Sequence, residues 1–116
     1  MTVPQLGFIL LTVLALSAGQ ILFKIASTAL EFTPVGIAKG LLDWRLALAL
    51  VVYAAATLMW LYVLKITPLR VAYPFAALAF VLVPLLAGIF LGEAIRFNTL
   101  IGSALILAGI WVSALE

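Results

Sequence analysis

The chain has 116 residues, of which 68% are hydrophobic and 9% charged; it carries six Lys or Arg, four Asp or Glu, no cysteine and no histidine, for a net charge of +2. A soluble domain carries about 25% charged residues, so this composition cannot cover a water-facing surface, and a water-soluble enzyme is excluded. No disulfide framework or thiolate site is available, the commonest metal ligand and neutral-pH proton shuttle is missing, and two scattered net charges offer no footprint for nucleic acid.

Four apolar stretches, 4–23, 46–64, 71–91 and 97–115, fill most of the chain, and none contains an ionised residue. About 20 residues at 1.5 Å rise cross a hydrocarbon core of roughly 30 Å. A helix satisfies every backbone polar group within its own segment, whereas a β-barrel needs shorter runs alternating apolar with polar residues, which are not present. The expectation is an all-α membrane protein: one domain over 1–116, with four transmembrane helices at about 4–30, 45–65, 69–91 and 96–115.

The first helix resembles a signal peptide in its apolar run, but no basic segment precedes that run and Lys24 follows it. It is read as a retained helix. Ser17, Gln20, Lys24 and Ser27 recur at i, i+3, i+7 and i+10 and so share one face. Such a polar line belongs against protein or water rather than lipid. Lys24 is a compact cation with three donors that suits a phosphate; the alternative is that it snorkels to the headgroups while Gln20 bonds a neighbouring helix.

The connection over 31–45 mixes Phe32, Val35, Ile37, Leu41, Leu42 and Trp44 with Lys39, Asp43 and Arg45, and is expected to lie along the headgroup layer. The second connection, 65–70, is tight: Pro68 disfavours helix at Thr67 and can open the next helix. Arg70 either binds phosphate or anchors to headgroups. The third helix contains Pro74 and Pro84, each of which frees a backbone carbonyl. They are either a plain kink or a flexible wall beside a pathway. Tyr73, just before Pro74, faces a cavity or sits at the interface. In the third connection, Glu93 and Arg96 form a local ion pair, cap a helix, or meet substrate. In the fourth helix Gly102, Gly109 and Ser113 make a stripe, with Ala104 and Ala108 adjoining. Such a stripe serves internal packing or dimerisation.

Four crossings place both ends on one side. Lys39, Arg45 and Arg96, with Lys24 if it reaches that surface, face Lys65 and Arg70 across the membrane. This near-balance leans toward ends outside the cytoplasm and permits an antiparallel dimer. No stretch holds an Asp or Glu at depth, the group that a proton-coupled exporter of cations uses to exchange a proton for its cargo. No catalytic constellation, metal cluster or cofactor-binding motif is present, so no enzyme and no cofactor are expected.

Three segments together resemble a known family. Ser17-Ala18-Gly19-Gln20-Ile21-Leu22-Phe23-Lys24 is similar to the G-x-x-x-x-K segment of the small multidrug resistance proteins and of their relatives in the drug/metabolite transporter superfamily. Pro68-Leu69-Arg70-Val71-Ala72-Tyr73-Pro74 resembles their P-x-x-[IV]-A-Y opening of the third helix. Leu91-Gly92-Glu93 followed by the segment from Ile101 to Ile110 resembles their ending. The drug exporters, however, carry a glutamate eight residues before the lysine, where this chain has Leu16. They also commonly carry a tryptophan three residues after the tyrosine, where it has Ala76. The Gly-Gln pair, the Ala-Tyr-Pro triplet and Glu93 resemble most the small subunits of the aminoarabinose-phosphoundecaprenol flippase, although Arg70 replaces the glycine common there.

The resemblance implies a bacterial inner-membrane, multi-pass flippase subunit with a small-multidrug-resistance-like bundle. It implies a lipid-linked sugar phosphate as cargo, Lys24 as phosphate partner, and Gln20, Ser17 and Tyr73 on the sugar. Arg70 or Arg96 would recruit the phosphate at a membrane face, with Glu93 in the same substrate set. The partner would be membrane lipid and a second four-helix subunit, identical or sister. A small-solute or cationic drug exporter of the same fold is the alternative, and a non-transporting scaffold the third reading.

Overall fold

The computed structural model describes residues 2–115; residues 1 and 116, included in the expected domain, lie outside the described residues. Helix α1, Val3–Ser27, begins at a reciprocal cap: Thr2 Oγ1 accepts from the Gln5 N–H at 3.3 Å, and Gln5 Oε1 accepts from the Thr2 N–H at 3.0 Å. This arrangement satisfies two otherwise orphaned donors. The helix stops at Ser27, short of the expected residue 30. There the Ser27 and Thr28 hydroxyls donate to the carbonyls of Lys24 and Ile25, both at 2.7 Å, and compete with helix continuation.

The long connection contains a short helix, α2, Pro34–Gly40, capped by Thr33 Oγ1 accepting from Gly36 N–H at 2.9 Å. Phe32, Leu42 and Trp44 around it are 82%, 87% and 71% exposed. Large apolar side chains so placed are accommodated by the acyl and headgroup boundary. Helix α3, Trp44–Ile66, opens on Asp43, whose carboxylate accepts from the Arg45 N–H at 2.9 Å and pairs with the Arg45 guanidinium at 3.2 Å. The backbone N–H of Arg45, and after it the guanidinium, holds the Asp43 carboxyl below its ordinary value.

Thr67 is extended and Pro68 follows, ending α3. The third span, Leu69–Phe90, then divides into α4, Leu69–Ala76, and α5, Ala79–Phe90. Pro74 and Pro84 have no N–H to offer the preceding turn. Between them the backbone tightens into i→i−3 bonds from Ala77 to Pro74, from Leu78 to Phe75 and from Phe80 to Ala77. After α5, Gly92 takes φ +68, and the Glu93 N–H bonds the Ala87 carbonyl at 3.3 Å. This left-handed close is open to glycine at little cost. Helix α6, Phe97–Ala114, completes four candidate membrane spans, α1, α3, α4–α5 and α6. The chain is therefore a multi-pass, all-helical membrane protein.

The core is small and sits between α1, α3 and α4: Ile9, Val13, Val63 and Ala72 are fully buried, with Phe8, Trp60, Phe75 and Leu82 packed around them. Phe8 and Tyr62 meet edge to face, with ring centroids 5.4 Å apart. Helices α1 and α3 form the most extensive pairing, whereas α6 touches mainly α4 and α5 and buries no residue.

Candidate functional site

A hollow of about 560 Å³ lies between α1, α3 and the broken third span. Helix α1 contributes Leu16 and Gln20, and α3 contributes Tyr53. The broken span adds Tyr73, Ala76, Phe80 and Pro84 among others. The volume falls in the range of roughly 300–1,000 Å³ typical of small-molecule pockets. Its wall is mostly apolar, with one amide and two phenols as the polar groups.

Local geometry explains the opening. Gly19 is buried, and a Cβ there would lie 2.9 Å from Tyr53 Cδ2. The missing side chain lets the Tyr53 ring lie against α1. Phe23 supports the ring from the next turn, at a centroid distance of 5.3 Å. Opposite, the third span packs on α1 through both of its halves, and Ala77 of the tightened turn and Pro84 border the hollow. Pro84 and the residues Ala76, Ala77 and Ala79 around the break line the hollow; Pro74 does not.

The expected site residues divide among several places. Gln20 and Tyr73 line the hollow. Lys24 does not; it stands one turn beyond Gln20 on the same side of α1 and is exposed. Ser17 does not line the hollow. It is fully buried, and its hydroxyl donates to the Val13 carbonyl at 2.8 Å, so its polarity is spent within α1. Arg70 lines a second hollow of about 440 Å³ at the opposite end from Lys24, together with Gln5, Thr67, Pro68 and Ala114.

Glu93 and Arg96 are exposed in the third connection, remote from the first hollow. Among the described residues no ion pair joins them: Arg96 holds the extended N-cap position of α6 without a side-chain cap bond. Solvated charges gain little from pairing.

Tyr53 is the polar lining residue that the sequence reading omitted. Its signal was a tyrosine deep within an apolar helix rather than at the interface, where tyrosines gather. Leu16 and Ala76, the two positions at which the chain departs from the drug exporters, both line the hollow. Where a carboxylate and a broad aromatic ring would stand, there are an isobutyl group and a methyl. Among the described residues, no Asp or Glu lies within the four spans, and no group of carboxylates could hold a metal ion.

The fold and the hollow define a class: a small four-span membrane protein with an uncharged, amide- and phenol-bearing groove between its helices. Comparison with known proteins narrows it. The chain is 35% identical over 109 residues to the probable 4-amino-4-deoxy-L-arabinose-phosphoundecaprenol flippase subunit ArnE of Pectobacterium atrosepticum, a match covering 92% of this chain and 96% of that one. It is 39% identical over 106 residues to the protein of the same name from Salmonella newport, covering 91% and 94%. No family model matches, and no solved structure matches. Identity at this level over nearly the whole of both chains places the protein in the family of small aminoarabinose-phosphoundecaprenol flippase subunits.

Proposed function

We propose that the protein is one subunit of a flippase that carries a polyprenyl-phosphate-linked sugar across the bacterial inner membrane. The headgroup passes through the hollow between α1, α3 and α4–α5 while the polyprenyl tail remains in lipid. One observation carries this reading: a groove of small-molecule size, furnished with Gln20, Tyr53 and Tyr73 and flanked by Leu16 and Ala76, lies between three of the four candidate membrane spans. An amide and two phenols can exchange hydrogen bonds with sugar hydroxyls or an amine, replacing the water that the headgroup leaves behind. Without a carboxylate, the groove has no fixed negative charge to hold a lipophilic cation or to trade it for a proton. The exporter alternative therefore loses its main requirement.

Lys24, one turn beyond Gln20, is assigned to the phosphate as it nears the end of the bundle bearing the first and third connections. Four helices leave the groove open on one side, so the functional unit is a dimer with a second copy or a sister subunit. The face of α6 bearing Gly102 and Gly109 is the natural seam. A Cβ at either glycine would meet nothing within 4 Å, so neither glycine is needed for close approach of another helix of the same subunit. Rocking one half against the other would expose the groove to each side in turn.

The test is reconstitution in proteoliposomes, alone and with a sister subunit, with a polyprenyl-phosphate aminosugar in both leaflets. A membrane-impermeant amine reagent reads the outer-facing fraction. Active protein raises the reactive fraction from about half toward completion, and Gln20→Ala slows that rise severalfold. Proton-driven efflux of tetraethylammonium, with no movement of the lipid, would replace this reading by the exporter.

A further inference from the structure

We infer that Tyr53 is the specificity-determining residue of the groove, its phenol reading a hydroxyl or amine on the sugar of the cargo, and that Phe23 is the residue that positions it. The inference deepens the flippase reading and rests on it for the identity of the cargo. Within α1 and α3 the Ser and Thr hydroxyls donate to a preceding turn: Thr12, Ser17 and Thr57 each do so at 2.8 Å. The Tyr53 phenol is not spent in this way. Thr57 takes the backbone carbonyl of Tyr53, and among the described residues the phenol itself has no hydrogen-bond partner and is not sealed from its surroundings. It keeps its capacity both to donate and to accept, on a residue that lines the hollow.

The ring is held as the other polar groups of the groove are not. Gly19 and Phe23 are four apart and form one row on α1. At Gly19 the missing side chain admits the ring, since a Cβ there would stand 2.9 Å from Tyr53 Cδ2. At Phe23 the two rings meet, with centroids 5.3 Å apart and planes inclined by 59°, within the range where aromatic pairs attract. Phe23 is partly buried and does not line the hollow, so it reaches the cargo only through Tyr53. Gln20, by contrast, is exposed on a flexible stem, and Tyr73 is 68% exposed. A tyrosine has two side-chain torsions, and fixing them beforehand removes that ordering cost from binding. A preset hydroxyl also discriminates, because a ligand without a matching group leaves it unpaired.

The neighbouring row on α1 fits this assignment. Gln20 and Lys24, one residue on from Gly19 and Phe23, repeat the same spacing. One row seats the tyrosine; the next presents an amide and an ammonium to the cargo. In a sugar phosphate the ring is bonded directly to the phosphate. A phosphate at Lys24 therefore leaves its sugar about one turn away, about 6 Å along the helix axis. That is the level of Gln20, where Tyr53 stands against Gly19.

The test uses the purified protein in neutral detergent, titrated calorimetrically with a farnesyl-phosphate aminosugar and with farnesyl phosphate, which lacks the sugar. The parent is expected to prefer the sugar ester. Tyr53→Phe keeps the ring and is expected to weaken the sugar ester about fivefold, the factor for one neutral hydrogen bond, with farnesyl phosphate unaffected. Phe23→Ala is expected to weaken the sugar ester alone, and Phe23→Tyr to keep its affinity. In the Tyr53→Phe background Phe23→Ala is expected to add nothing, because no hydroxyl is left to position. Phe23→Leu serves as a second, milder deletion, and the thermal midpoint of each variant confirms folding. A parent that binds the two ligands alike, or unchanged sugar-ester affinity in folded Tyr53→Phe, overturns the proposal. A Phe23→Ala loss that persists in the Tyr53→Phe background overturns the positioning role. Lipid translocation that persists alongside unchanged affinity removes the Tyr53 assignment alone, whereas a fivefold effect without translocation leaves that assignment and removes the flippase.

Discussion

Gly19 and Tyr53 set the width of the groove between α1 and α3. Alanine at 19 would put a methyl 2.9 Å from Tyr53 Cδ2, closer than carbon atoms rest, so the ring must swing into the hollow. Replacing a helical glycine by alanine gains about 1 kcal/mol of intrinsic helix stability in water, which offsets the repacking. Gly19→Ala is therefore expected to unfold within a few degrees of the parent while lipid translocation falls severalfold. Thermal denaturation in detergent and the amine-accessibility assay check the two halves separately. Gln20 was legible in the sequence because its polarity broke an apolar run at a fixed place on a helix face. Tyr53 was not, because what makes it a wall of the groove is a contact with Gly19, far away in sequence. Ser17 differs from Gln20 for a related reason. Periodicity set it beside Gln20, but a serine in a helix can bond its own preceding turn, and here it does.

Among the elements, the broken third span forms one wall of the groove. Pro74 and Pro84 were visible as helix breakers in the sequence; that the break falls at 77–78 and lines a cavity depends on the partners it packs against. Pro74→Ala restores one backbone donor to α4 and removes the ring that crowds the preceding turn. The expected result is an unchanged or higher thermal midpoint with slower translocation, because a straighter span leans on α1. A lower midpoint together with intact translocation would show that the break serves packing instead. Asp43 acts on α3 alone. Its carboxyl is held below the ordinary value by the N–H and guanidinium of Arg45, so the folded protein favours the ionised form. The associated stability is fully present above the unfolded value of about 3.9. It is lost as pH falls through the lower folded value. The difference in thermal midpoint between the parent and Asp43→Ala is accordingly expected to be steady near neutrality and to shrink below about pH 4. Thermal scans of both proteins across that range measure it.

At the scale of the whole molecule, α1 and α6 differ most in how much of each is covered. Helix α1 is wrapped by α3 and by the broken span, whereas α6 buries no residue and leans mainly on α4 and α5. Lipid can cover such a helix, since acyl chains are as apolar as leucine, but lipid does not explain a row of small residues; close approach of another helix does. The sequence disclosed the row at Gly102, Gly109 and Ser113, yet left open whether it faced inward. Open space beyond both glycines directs it outward. Gly109→Leu separates the two uses of that face. Within one subunit the added Cβ meets nothing within 4 Å and Gly109 is exposed, so the detergent-solubilised monomer is expected to keep its thermal midpoint. In a dimer seamed along α6 the same side chain holds the backbones apart, and the loss of close packing shifts association from dimer toward monomer at equal protein-to-detergent ratio. Light scattering of the purified protein reads the mass, and translocation reads the consequence: both fall together if the groove is completed by its partner. A variant that remains dimeric and active moves the seam away from α6, to one of the other lipid-facing helices.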